Sequence, residues 1–126
     1  MDIFKKRGMT VVTNPGSNMK LASGVPRTAE LLKRGIPMAI GTDGAASNNC
    51  LDMFREMFLV TGLAKLREED ASVVSAEEVL KMACVNGAHC MGLKDADCLS
   101  EGKLADLCVL DLHQPNMQPL NSIVKN

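Results

Sequence analysis

Two short apolar runs, Met9 to Val12 and Pro37 to Gly41, organise the opening of the chain. The first is rich in β-branched residues and breaks at Asn14-Pro15-Gly16-Ser17-Asn18, a strand followed by turn punctuation. That loop continues through Lys20 to Gly24. Pro26 suits the first turn of a helix whose apolar face is Ala29, Leu31 and Leu32. Gly35 stops the helix after Lys33 and Arg34, cations that suit a helix C-terminus. The second run does not alternate with polar residues, the pattern of a strand buried on both faces. Strand, helix and strand within about thirty residues form a βαβ unit, so the pattern predicts a parallel sheet.

Downstream, the pattern predicts two longer helices and one more strand. Asn48 or Asn49 is a candidate N-cap for a helix from about Leu51 to Arg67, with Leu51, Phe54, Met57 and Phe58 on one face. The charged run Arg67-Glu68-Glu69-Asp70 reads as its solvated end. Ser75-Ala76-Glu77-Glu78 is a capping box, followed at helical spacing by Val79, Leu80, Ala83 and Cys84. This third helix extends to about Met91 and closes at Gly92. Ala105 to Leu112 reads as a strand outside the βαβ pattern, in a separate small β layer. No internal repeat or low-complexity tract occurs.

Composition narrows the class. The chain has 126 residues, a length that fits one domain with a core, and 46% are hydrophobic, which argues against disorder. A net charge of −1 offers no basic surface for nucleic acid or an anionic membrane. Apolar runs are too short to span a bilayer, and Asp2 to Arg7 precede no apolar signal region. Cys50, Cys84, Cys90, Cys98 and Cys108 form no C-x-x-C pair, which suits small hydrophobes in a reduced, cytoplasmic protein.

In parallel α/β folds, chemistry collects where strands end, at the carboxyl edge of the sheet. Two positions qualify: the Asn14 to Asn18 loop and Asp43. Asp43 directly follows the second apolar run between Gly41 and Gly44, whose small size allows close approach to its backbone. A carboxylate there can bind a metal or act as a general base; it can equally serve only to cap a loop.

Val12 to Ser23 and Ile40 to Asp52 closely resemble the amidohydrolase superfamily, and within it the S-adenosylhomocysteine/5′-methylthioadenosine deaminases, with chlorohydrolases as near cousins. Asn86-Gly87-Ala88, Met91-Gly92-Leu93 and Glu101 to Leu107 resemble the C-terminal signature of the same family. The motifs cover nearly the whole chain in the family's order. The resemblance implies a (β/α)8 barrel with one divalent metal, zinc or iron, and a β-sandwich built from both chain ends. It implies hydrolytic deamination of a small nucleoside-like substrate, in which water attacks a ring carbon and ammonia leaves. Asp43 matches the aspartate after the eighth strand, which binds metal and takes the proton from water. Asn14 to Asn18 match the loop after the seventh strand, to which no catalytic role is assigned.

Departures from the family are equally specific. Thr13 stands where a histidine is usual, which bears on substrate contacts, and Asp97 where a glycine is common. The His-x-His pair after the first strand, the later ligand histidine, the acidic Glu and the histidine after the sixth strand are absent. His89 and His113 match no ligand position. The expected architecture is therefore strands 7 and 8 of the barrel with their helices over residues 1–93, and part of the β-sandwich over 94–126. A full barrel takes about 250 residues, so this chain is expected to be a C-terminal portion, inactive alone. Its unpaired strand edges call for the missing N-terminal half or a second copy. A related chlorohydrolase or guanine deaminase fragment, or a non-catalytic assembly or binding module of the same descent, remains open from sequence.

Overall fold

The computed structural model describes residues 1–125. Its regular elements are α1 (Asp2–Lys6), β1 (Val11–Thr13), α2 (Pro15–Lys20), α3 (Thr28–Lys33), β2 (Met38–Ile40), α4 (Ala45–Asn48), α5 (Met53–Glu68), α6 (Ala76–Ala83) and α7 (Val85–Cys90). A 3-10 turn spans Pro115–Met117. β1 and β2 pair in parallel, with Val11 opposite Met38, Val12 opposite Ala39 and Thr13 opposite Ile40. The βαβ expectation is thus met, although each strand keeps only three residues.

Met38 and Ile40 lie under the helices with Leu31, Ile36, Val60, Ala64, Val74, Val79 and Met82, a single apolar core. Thr13 shares that face by strand alternation and is buried. Its hydroxyl has no hydrogen-bond partner among the described residues. At the start of β2, the Asn86 amide donates to the Met38 carbonyl at 2.8 Å and ties α7 to the sheet.

Several predicted features take a different form. The turn-like Asn14 to Asn18 segment is largely helical, because Pro15 occupies the first turn of α2, where its fixed φ and missing N–H cost nothing. Pro26 lies two residues before α3 rather than inside it. The long helix starts at Met53, not Leu51, and its cap is Asp52, which accepts from the Phe54 and Arg55 amides at 2.9 and 3.4 Å. Asn48 instead ends α4, and Asn49 follows it with a left-handed φ of 67°. On α5 the buried row is Glu56, Val60 and Ala64; of the predicted face Met57 packs against the core, while Phe54, Phe58 and, ahead of the helix, Leu51 are exposed.

The predicted third helix begins with the expected reciprocal cap, Glu78 amide to Ser75 hydroxyl and Ser75 amide to Glu78 carboxylate. It breaks at Cys84, whose ψ of −82° turns the chain into α7. The predicted strand over residues 105–112 does not form. A strand exists only by pairing, and this stretch has no partner strand among the described residues, leaving Val109 88% exposed. The cysteines also differ from core hydrophobes: all five are free thiols, and four are exposed.

One electrostatic clip closes the loop after α7. Lys103 sits 2.9 Å from Asp97 and donates to the Lys94 carbonyl, while His89 Nε2 lies 3.1 Å from Asp97. Lys103 first, then His89, lower the Asp97 carboxyl from 3.8 to about 2. A depressed carboxyl stabilises the fold above its unfolded value and loses that contribution as pH falls through the folded one. NMR titration of Asp97 should give a midpoint near 2, where the clip releases, and its contribution to stability should fade between pH 3.8 and about 2. Lys103→Met should move the midpoint up toward 3.8.

Candidate functional site

Asp43 sits three residues beyond β2, at the carboxyl end of the parallel pair, where the sequence places it. Its φ is +59°, a left-handed backbone that non-glycine residues adopt at a cost. Two donors pin the exposed carboxylate. The Ser17 hydroxyl donates to Oδ2 at 2.7 Å, and the Gly44 amide donates to Oδ1 at 2.8 Å. Ser17 foremost, then the Gly44 N–H and the Ser47 hydroxyl, hold this carboxyl below the ordinary range. Asp43 is therefore ionised at neutral pH.

Ser17 arrives from the other strand end. It lies in the first turn of α2, itself buried, so the two strand-end segments meet at the Ser17–Asp43 bond. Beneath that meeting point is a residue that sequence reasoning missed. Glu56, on the core face of α5, is 0% exposed. Its Oε2 accepts from the Gly16 amide at 2.8 Å, and its Oε1 accepts from Asn48 Nδ2 at 2.8 Å. The same Asn48 amide donates to the Thr42 carbonyl at 2.7 Å. The available signal was spacing: Glu56 lies four residues before Val60 and eight before Ala64, so it shares their row on α5.

Two hollows adjoin the segments. One of about 560 Å³ is lined by Gly16, Met19, Lys20, Asn48, Asn49, Cys50 and Arg55. Another of about 520 Å³ lies against Val12, Ala39 to Thr42, Met53, Cys84 and Met91. Neither is lined by Asp43. His89 and His113 are exposed and pair with Asp97 and Asp111, respectively. Thr13 occupies the core face of β1 rather than reaching the carboxylate. Among the described residues no group of three His, Cys, Asp or Glu side chains could enclose a metal. No described helix is long and apolar enough to cross a membrane.

The sequence profile of the amidohydrolase family matches residues 1–126. The chain belongs to that family. A 5-methylthioadenosine/S-adenosylhomocysteine deaminase of Thermococcus onnurineus is 46% identical over all of this chain and 30% of its own length. A 5′-deoxyadenosine deaminase of Methanothermobacter thermautotrophicus is 47% identical over 94% of this chain and 28% of its own length. An adenosine deaminase from Xanthomonas campestris, solved with bound zinc, superposes with a TM-score of 0.92 at 40% identity, over 98% of this chain and 28% of that one. A triazine hydrolase variant follows with a TM-score of 0.88 at 25% identity. This amidohydrolase chain therefore spans about 30% of the length of the curated relatives it matches.

Proposed function

We propose that this amidohydrolase chain is the C-terminal portion of a deaminase acting on an adenosine thioether of the methylthioadenosine or S-adenosylhomocysteine type. Residues 1–93 contribute strands 7 and 8 of a (β/α)8 barrel with their helices, and residues 94–126 belong to a β-sandwich appendage. The observation that carries this reading is Asp43: an ionised carboxylate at a strand's carboxyl end, held by Ser17 and Gly44 in a strained left-handed conformation. The 46% identity to a 5-methylthioadenosine/S-adenosylhomocysteine deaminase supports the thioether substrate, and the 47% identity to a 5′-deoxyadenosine deaminase supports an adenosine-type one. Exposed Phe54 and Phe58 on α5 and the unpaired stretch over 105–112 suit surfaces covered by further chain. Five free thiols suit a reducing, cytoplasmic setting.

A divalent metal fits Asp43 as one ligand of several. With Ser17, Gly44 and Ser47 as donors, the two carboxylate oxygens together still keep a lone pair for coordination. The zinc in the Xanthomonas campestris structure makes zinc the first choice, with iron as the other option. When bound, the metal supplies Lewis acidity that makes water acidic at neutral pH. Asp43 takes the proton from the attacking water as its oxygen bonds to the ring carbon carrying the amino group. Asp43 then returns a proton to the departing nitrogen, which leaves as ammonia. Ser17 and Gly44 hold the carboxylate in place throughout.

The test replaces the matched segment of the Thermococcus onnurineus deaminase with this chain. The chimaera should release ammonia from S-adenosylhomocysteine, and the 126-residue chain alone should not. A folded, metal-loaded chimaera that turns over no adenosine thioether would overturn the substrate reading.

A further inference from the structure

We propose that Glu56 is a positioning residue for Asp43: its buried carboxylate ties the segment after β1 to the segment after β2 and so fixes where the two meet. The functional half of this inference rests on the deaminase reading above.

Burial of a carboxylate needs a reason, because water is the better solvent for charge. Glu56 is fully buried in a row with Val60 and Ala64, and both its partners are neutral donors rather than cations. An apolar side chain of similar volume would pack against α5's neighbours without that desolvation. What the carboxylate adds is two directed bonds, and each leads to Asp43. The first arm runs from Oε2 to the Gly16 amide, one residue before Ser17, whose hydroxyl holds Asp43 Oδ2. The second runs from Oε1 to the Asn48 amide, which holds the Thr42 carbonyl, one residue before Asp43. One arm therefore sets the donor to the Asp43 side chain and the other sets the Asp43 backbone. A left-handed φ at Asp43 persists only where its surroundings over-determine it, and these arms supply that determination.

Glu56→Gln keeps the shape but presents an NH₂ to one of two donors, Gly16 or Asn48, so one arm must break. In the chimaera, kcat should fall about tenfold to a hundredfold with KM within about twofold, the cost of a misplaced catalytic group. In the 126-residue chain the amide protons of the donor that loses its acceptor, Gly16 N–H or the Asn48 side-chain NH₂, should move upfield and exchange faster. Val60→Ala, one turn along the same buried row, lowers the melting temperature but should leave kcat unchanged. If Glu56→Gln fails to fold, Asn48→Ala removes the Thr42 arm alone and should still lower kcat with KM held. Unchanged kcat in a folded arm variant, or an equal kcat loss in Val60→Ala, would overturn the positioning role. Gly16 and Asn48 amide protons that are both unaltered in Glu56→Gln would overturn the brace itself, whatever the chimaera's activity. Loss of activity in the unsubstituted chimaera speaks against the deaminase reading alone.

Discussion

Asp43→Asn should lower ammonia release by the chimaera at least about a thousandfold while moving its melting temperature by no more than about 3 °C. The two parts of this expectation have separate causes. Asn is among the few non-glycine residues that tolerate a left-handed φ, so the +59° backbone survives the change. Its Oδ1 still accepts from the Gly44 amide, and the Ser17 hydroxyl can rotate to accept from the new NH₂. Local geometry therefore remains. What disappears is the negative charge and the ability to receive a proton, which is what a metal ligand and general base require. Bound metal, counted by elemental analysis, should fall alongside turnover. Asp43→Ala is the less informative variant, because Ala at φ +59° adds backbone strain to the chemical loss. A thousandfold loss with an unchanged melting curve assigns Asp43 to chemistry. Retention of turnover in Asp43→Asn would show the carboxylate to be only a loop cap.

Much of this site could be read from sequence because its signals are local. Two apolar runs, the helix between them and the Gly-flanked Asp43 define a strand end within a few residues, and neighbouring chain is enough to establish them. The Ser75 capping box is likewise a four-residue signal, and it forms as written. Failures occur where distant chain decides. Glu56 bonds to Gly16 across 40 residues, so its spacing to Val60 and Ala64 hints at burial but nothing adjacent announces its partner. The apolar row through Phe54 and Phe58 looked like a core face, yet α5 turns Val60 and Ala64 inward instead. Both rows are compatible with a helix, and only the position of the sheet chooses between them. The stretch over residues 105–112 fails for the converse reason. Its composition suits a strand, but strand formation requires a partner, and none is present among the described residues.

Two glycines separate close approach from simple helix content. Gly16→Ala should destabilise the chain by about 3 kcal/mol, a loss of roughly 10 °C or more in melting temperature. A methyl group at Gly16 would run into the Glu56 carboxylate and lie 2.9 Å from Asn48 Nδ2 and 3.0 Å from Asn48 Oδ1. These are the partners that occupy both arms of the brace, and they are buried. None can withdraw without leaving a polar group unpaired: retreat of Glu56 strands the Gly16 amide, and retreat of Asn48 strands the Thr42 carbonyl. The cost is therefore overpacking plus a lost charge-assisted bond. Gly62 is the control. It lies inside α5 with nothing within 4 Å of its would-be Cβ, so Gly62→Ala should stabilise by about 0.5–1 kcal/mol through helix propensity alone. Thermal and urea unfolding of both variants measure the contrast. If Gly16→Ala proved as mild as Gly62→Ala, the segment after β1 would have room to move, and the close junction of Gly16, Asn48 and Glu56 could not be what holds Ser17 against Asp43.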